Sequence, residues 1–404
     1  MRLMQVLYSI NLCSARIILS YVHEVHSSFE LKETNYMIYK IRDCVDVYTL
    51  KDNILMFYFI NTRKTYEYKV NDSSVKLVSL IDGKSSLEEL TEKYNKKNNS
   101  NVSSESVKKI LDFLMSINVV VEIDENLIVN VDERFDRQIN YLSELSLGER
   151  SGIENHERLI NTKFLIFGVG SVGGDIAMLL GMAGVKQLIL FDHDKVEKSD
   201  VSRHMYFKRE YIGMNKTDAL KKELLLINPE INVDVVNDVL RPDTKIDLLI
   251  ENSDFIVNTA DEPYIGYTSI KISRKCYELN KPHYIGGGFD IHVMSTGELI
   301  IPGITPCVNC YMRYFKKKLA DWTPENKKVV DVINEYGGFA SQSLFSASYA
   351  VVQIIKYISG SEFESEKLTR GEVDFEQYKI QYLDVKKDPN CPVCGGGTEN
   401  ETKN

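Results

Sequence analysis

Apolar and polar positions alternate with a period of two over Ile54–Ile60 and again over Thr65–Val70, around the polar tip Asn61-Thr-Arg-Lys64. This pattern predicts a β-hairpin. Three amphipathic helices are predicted after it: Ser73–Ile81, closed by Asp82-Gly83; Ser86–Tyr94, opened by the capping-box sequence Ser86-Leu-Glu-Glu89; and Ser104–Ile117. The polar run Asn95–Ser100 reads as a loop between helices. Val119–Ile123 and Leu127–Val131, around Asp124-Glu-Asn126, predict a closing wing. The first convincing strand pattern opens at Met37, and the residues before it fit neither domain, so 1–36 reads as an extension or an over-long translation start.

From Phe164 the pattern changes. A continuous apolar run, Phe164–Phe167, leads into Gly168-x-Gly170-x-x-Gly173-Gly174 and then an apolar helix, Asp175–Ala183. A second buried-type strand, Gln187–Phe191, ends at Asp192. This is the layout of a nucleotide-binding βα unit: glycines permit the tight turn, backbone N–H groups at a helix N-terminus meet a phosphate, and the acidic residue is placed for ribose hydroxyls. Taken alone, such a loop suggests a dinucleotide oxidoreductase. The residues after Asp192 argue otherwise. The chain continues D-x-D-x-V-x-x-S-D-V-S-R-H, and Lys216 stands in I-G-M-N-K. Hydride transfer has no need of Arg203 and Lys216, whereas a site splitting a triphosphate must neutralise charge growing on phosphorus.

Composition narrows the class further. With 404 residues there is room for two domains, and 49 basic against 58 acidic residues leave a net charge of −9, without the basic surface that nucleic acid requires. The helix Ser104–Ile117 sets Lys108 and Lys109 against Glu105 and Asp112, a poor recognition helix for DNA. No apolar run reaches the roughly 18 residues of a membrane span, and Arg2, Asn11 and Arg16 interrupt the mildly apolar start, so a cytoplasmic protein with no membrane and no nucleic-acid partner is expected. Four of the 7 cysteines form Cys307-x-x-Cys310 and Cys391-x-x-Cys394. Paired knuckles of this kind suit a tetrahedral structural zinc; two disulfides or free thiols are the alternative, disfavoured in a cytosolic protein. Cys276 lies in an apolar periodic stretch and reads as a buried helical thiol.

Several separated pieces resemble, in order, the ThiF/MoeB/HesA family of adenylating enzymes, bacterial relatives of ubiquitin-activating enzymes. Arg134-Phe-Asp-Arg137-Gln138 is similar to the family's R-Y-x-R-Q opening. The glycine loop, the D-x-D strand end, Arg203 with Lys216, the strand Ile256-Val-Asn-Thr-Ala-Asp261 and the two cysteine pairs come next, so that the likeness runs from Arg134 to Gly396. The resemblance implies a Rossmann-like, doubly wound α/β adenylating domain over 132–396 with a zinc knuckle; the patterning before it reads as a small α+β winged-helix domain over 37–131, and 397–404 reads as a disordered tail. The first domain resembles PqqD-like peptide-recognition elements. The combination, with Thr259-Ala-Asp-Glu-Pro263, Tyr284-Ile-Gly-Gly-Gly-Phe289 and Ile301-Pro-Gly-Ile-Thr-Pro-Cys307, is similar to the branch that adenylates the microcin C precursor peptide.

The resemblance also implies roles. ATP would lie with its phosphates on Gly168, Gly170, Gly173 and Gly174 and its ribose at Asp192, with Asp194 ordering the loop. Arg203 and Lys216 would meet the β- and γ-phosphates, Asp261 would bind Mg²⁺, and Arg137 would reach across a homodimer. Cys307, Cys310, Cys391 and Cys394 would hold Zn²⁺. The substrate would be the carboxylate of a ribosomally made precursor peptide, as in bacteriocin maturation. The plainer readings are surface ion pairs for Arg203 and Lys216 and a helix cap for Asp261. Tyr311–Ala340 has no cysteine, so no thioester step is expected. A non-catalytic leader-binding scaffold and activation of a ubiquitin-like sulfur carrier are the competing functions. Where the family reads S-N-L-x-R-Q, this chain has Ser199-Asp200-Val201-Ser202-Arg203-His204: a carboxylate replaces an asparagine near the phosphates and is expected to weaken ATP unless it takes a metal or pairs with Lys216. His204 reads as a neutral, packed side chain.

Overall fold

Ile54–Phe59 buries every second side chain, Leu55, Phe57 and Phe59, and so forms the middle strand of a three-stranded antiparallel sheet. The computed structural model describes residues 37–124, 132–145, 152–319, 338–360 and 370–395. The chain divides into two compact units between Asn130 and Val131.

In the first unit β1 (Met37–Ile41), β2 (Val45–Leu50), β3 (Ile54–Phe59) and β4 (Lys64–Lys69) precede α1 (Asp72–Val78), α2 (Leu87–Asn98), α3 (Ser104–Ser116) and β5 (Val120–Asp124). The predicted hairpin is β3–β4, and β2 adds a third strand to it. Leu90 and Tyr94 of α2 and Val107, Leu111 and Leu114 of α3 close over Leu55, Phe57 and Phe59. α2 opens with the reciprocal Ser86–Glu89 capping box. It runs through Asn95–Asn98, where a loop was expected. Lys96 and Lys97 lie in its last turn, where cations favour the helix dipole, and it stops only at Asn99, in the left-handed conformation asparagine tolerates. The strand expected to open a wing pairs instead with β1, Met37 opposite Asp124 and Ile41 opposite Val120. Its expected partner, Leu127–Val131, lies outside the described residues, as do 1–36 and 397–404.

The second unit contains α4 (Asp136–Ser143), α5 (Gly152–Asn161), β6 (Lys163–Phe167), α6 (Ser171–Met182), β7 (Gln187–Phe191), α7 (Lys216–Ile227), β8 (Asn232–Val236), α8 (Asp247–Glu251), β9 (Phe255–Asn258), α9 (Ile265–Glu278), β10 (His283–Ile285), β11 (Phe289–Asp290), β12 (Val293–Ser295), β13 (Glu298–Ile300), α10 (Val308–Leu319), α11 (Ala340–Ile358), β14 (Gly371–Asp374) and β15 (Lys379–Tyr382). Its main sheet has the order β13-β10-β9-β6-β7-β8, parallel except for β13. Alternate residues of β6 serve opposite cores: Phe164 and Ile166 pack with α6, α7 and α11, while Leu165 and Phe167 pack with Ile250 of α8 and Ile272 and Cys276 of α9. A sheet buried on both faces is why the strands read as continuous apolar runs. β11, β12, β14 and β15 form a second, antiparallel sheet. Among the described residues no helix is long and apolar enough to cross a membrane.

Candidate nucleotide site and cysteine cluster

The glycine loop lies at the C-terminal end of β6, beside the ends of β7 and β9, where open α/β sheets bind ligands. Gly168 turns the chain with φ +79°, and a β-carbon there would stand 2.7 Å from the Ala260 nitrogen, so the loop is pressed against the chain leaving β9. The Thr259 hydroxyl donates to the Gly168 carbonyl at 2.7 Å. α6 begins at Ser171, earlier than the sequence suggested, with Gly173 and Gly174 inside its first turn. Side chains at these two positions would overlap the Gly168 carbonyl with Thr259 Oγ1, and the Tyr206 ring, respectively. Gly170 differs: nothing lies within 4 Å of its absent β-carbon. The tip of the turn is therefore open, as the close approach of a phosphate would require.

Asp192 follows β7. Its Oδ2 accepts the Val169 N–H at 2.7 Å and its Oδ1 the Asp194 N–H at 2.8 Å, so the carboxylate ties the glycine turn to the next loop. That loop runs out and returns: Val196 N–H donates to the Met214 carbonyl and Gly213 N–H to the Val196 carbonyl, bringing Asp194 and Lys216 together. Lys216 Nζ is 2.9 Å from Asp194 Oδ2 and 3.9 Å from Asp200 Oδ2. Burial acts to lower the Lys216 pKa, but the hydrogen bond and charge of Asp194, with Asp200 and Asp192 behind, outweigh it and leave the ammonium more basic than usual. Arg203 donates to Asp200 Oδ1 at 3.1 Å. His204 is buried, its Nδ1 2.9 Å from the Asp200 carbonyl oxygen and its ring against Tyr206 and Phe207; burial lowers its pKa and holds it neutral.

Asp261 is exposed just beyond β9, on the stretch against which Gly168 is packed. A free carboxylate there suits a hard, oxygen-seeking cation. Next to it, Glu262 Oε2 is 3.3 Å from His193 Nε2, which is also 3.4 Å from Asp194 Oδ1. Arg137 is exposed on α4 and has no ion-pair partner among the described residues, while Gln138 Nε2 donates to the Ala183 carbonyl and Arg134 stacks over Phe135. Tyr206 and His193 were not singled out in the sequence, and Thr259 entered only as part of the stretch Thr259–Pro263. The aromatic pair Tyr206-Phe207, two residues after His204, was the available signal for Tyr206.

Cys307 and Cys310 at the start of α10 meet Cys391 and Cys394 beyond β15. The sulfurs are 3.9 Å apart for Cys307–Cys310, 3.5 Å for Cys307–Cys391 and 3.4 Å for Cys310–Cys394. These are non-bonded distances, close to the ~3.8 Å edge of a tetrahedron built on Zn–S bonds of ~2.3 Å. The Asp388 N–H points at Cys310 Sγ at 3.4 Å, and Arg313 pairs with Asp388 and donates to the Asn390 carbonyl, an outer layer that fixes the second pair. Cys276 is fully buried on α9, and desolvation raises its thiol pKa far above the usual value.

A doubly wound parallel sheet, a glycine turn with an open tip and two cations held close beyond it define a nucleotide-binding α/β protein equipped to handle phosphate charge. The model of the ThiF family matches residues 135–393, and the chain belongs to that family. It is 29% identical over 248 residues to "Protein HesA, vegetative" of Trichormus variabilis, covering 60% of this chain and 84% of that protein. To the sulfur carrier protein ThiS adenylyltransferase of Escherichia coli it is 24% identical over 265 residues, 65% of this chain and 97% of the other. Among solved structures, E. coli MccB with ATP matches with a TM-score of 0.62 at 22% identity, over 88% of this chain and 99% of MccB. The same fold match, 0.62, is found for MccB with AMPCPP and MccA. The chain is an ATP-dependent adenylyltransferase of the ubiquitin-activating type, which activates a substrate carboxylate.

Proposed function

We propose that the carboxylate is that of a ribosomally made precursor peptide. The observation that carries this reading is the first unit. Its strand β4 is an edge of the three-stranded sheet, and Tyr68 on it meets the half-exposed Phe113 of α3 edge-to-face at 5.3 Å. An open strand edge beside an aromatic ledge suits an extended peptide, held by main-chain pairing with side-chain anchors. MccB, whose fold this chain shares, has been crystallised with MccA and AMPCPP. The missing cysteine in Tyr311–Ala340 argues against a thioester-forming carrier pathway.

In the reaction a carboxylate oxygen attacks the α-phosphorus of ATP, a new O–P bond forms, the bond from the α-phosphorus to the bridging oxygen breaks, and pyrophosphate leaves. Backbone N–H groups of the glycine turn receive the phosphates, Asp192 the ribose, and Arg203 and Lys216 the charge that passes to pyrophosphate. Arg137 adds a cation from the partner subunit of a homodimer. Mg²⁺, held by Asp261, supplies further charge neutralisation when bound. Cys307, Cys310, Cys391 and Cys394 would hold Zn²⁺, which would serve as a structural ion.

Exchange of labelled pyrophosphate into ATP by the full chain tests the reading. Exchange that depends on a short peptide is the expected result, and Phe113→Asp should raise the peptide KM roughly tenfold with little change in kcat, as loss of a binding contact remote from the reacting atoms does. Exchange indifferent to every peptide supplied, or satisfied by a folded carrier protein instead, would sink it.

A further inference from the structure

Asp200 is 2% exposed, yet it is a carboxylate in the middle of the anion-binding apparatus. One oxygen, Oδ2, accepts the Glu197 N–H at 2.8 Å and stands 3.9 Å from Lys216 Nζ. The other, Oδ1, accepts from Arg203 at 3.1 Å and lies 3.7 Å from His204 Nδ1. The imidazole lends it little charge: Nδ1 is closer to the Asp200 carbonyl oxygen, at 2.9 Å, and burial keeps the ring neutral. The cations that face the buried carboxylate are therefore Arg203 and Lys216, and Asp194 already takes part of Lys216 at 2.9 Å. Two cations are shared by two carboxylates before any phosphate arrives.

We infer that Asp200 is a positioning residue that competes with the β- and γ-phosphates for Arg203 and Lys216, so that the site holds triphosphate less tightly and lets pyrophosphate go. The inference rests on the assignment of these two cations to the phosphates. Its physical basis is that both states of the cations are served by an anion. When the site is empty, Asp200 and Asp194 keep the two side chains ordered and paired. When polyphosphate enters, it must take them from those carboxylates. When pyrophosphate departs, Asp200 recaptures Arg203, so the cations are not left unpaired beside a buried charge. The local turn alone would not require a carboxylate, because one oxygen satisfies the Glu197 N–H. The second oxygen is spent on Arg203.

Asp200→Asn is the discriminating change. Its amide oxygen retains the Glu197 contact, while its NH₂ faces Arg203 donor to donor and frees the guanidinium. ATP, pyrophosphate and AMP are titrated separately into the full wild-type and variant chains by calorimetry, with Mg²⁺ held constant. ATP and pyrophosphate should bind roughly tenfold more tightly to the variant, the scale of one charge-assisted hydrogen bond no longer competed for. AMP, which has neither β- nor γ-phosphate, should change less than twofold, and inhibition by pyrophosphate in the exchange assay should deepen as the KM for ATP falls. Should the Asn variant fail to fold, Asp200→Ser, which keeps a hydroxyl acceptor and removes the charge, carries the same expectation. Equal effects on all three ligands, or weaker binding of pyrophosphate, overturn the inference and leave Asp200 a structural residue. ATP binding unaltered by the substitution overturns this inference alone, whereas a wild-type chain that binds no ATP overturns the nucleotide assignment together with it.

Discussion

Tyr206 fills the space that a side chain at Gly174 would need, and its hydroxyl donates to the Gly170 carbonyl at 2.8 Å. One buried tyrosine thus explains one glycine of the loop and braces the backbone of another. Gly174→Ala should lose about 2 kcal/mol in denaturant titrations, overpacking outweighing the better helix propensity of alanine. In a Tyr206→Phe background the same change should be milder, because the atom nearest the new methyl group is gone. Equal losses in both backgrounds would mean that the helix relaxes elsewhere.

Removing one thiolate tests the cysteine cluster. Wild-type protein purified without chelator should carry about one zinc per chain, and Cys391→Ser should lose the metal and melt at a lower temperature, since metal affinity in such a site is folding free energy. A variant as stable as the wild type would remove the structural role. Alkylation of the remaining thiols that spares the cluster should leave adenylation intact.

Asp261→Asn should abolish pyrophosphate exchange while leaving the melting temperature close to that of the parent. The carboxylate is exposed at the end of β9 and supports no part of the core. Loss of a metal's charge stabilisation is worth several kcal/mol in the transition state, a rate decrease of about a thousandfold or more. Undiminished exchange would move the cation site elsewhere.

Two buried groups should tilt stability with pH in opposite senses. Complete burial lowers the His283 pKa from 6.5 to about 4, partly offset by a hydrogen bond to the Lys281 carbonyl, so the unfolded chain takes up a proton between these values and the native chain does not. Its contribution is full above pH 6.5 and is lost as the pH falls toward 4, by about 3 kcal/mol. Desolvation raises Asp175 from 3.8 to about 7 against the opposing hydrogen bond from Ser343. Here stability is present at low pH and is lost as pH rises through 7, by up to about 4 kcal/mol. The two windows overlap between about pH 4 and 6.5, where the slopes oppose each other, so over that range urea midpoints should fall more with rising pH in His283→Gln, and rise more in Asp175→Asn, than in the wild type. An unchanged slope in either variant removes that group from the account.

The parts of the site carried by short sequence intervals were legible in advance: the glycine turn, Asp192, and the spacing within each cysteine pair. Lys216 could be named because its motif is local, but its distance to Asp194 depends on the backbone pairing of Val196 with Met214 and Gly213, which no periodicity announces. The same limit governs the fold. The strands of the main sheet are apolar runs buried on two faces and stand out, whereas β11, β12, β14 and β15 are short and joined across a long interval, and β15 is exposed throughout. Asn95–Asn98 misled because its composition suits a loop, while Asn95 is engaged by both backbone groups of Val102, its oxygen accepting the N–H and its amide donating to the carbonyl. Asp200 was visible as a departure from the family pattern, and its closest charged partner proved to be Arg203 rather than Lys216.

The antiparallel register of β1 against β5 sets Met37 opposite Asp124, so the two ends of the first unit's described chain are immediate neighbours. Linear order is then incidental to that fold. A circular permutant in which a short glycine-serine bridge joins Asp124 to Met37, and new termini open at the hairpin tip around Thr62, keeps every strand pairing intact. The described part of the unit is thus entered and left at one place, the geometry that an inserted module needs.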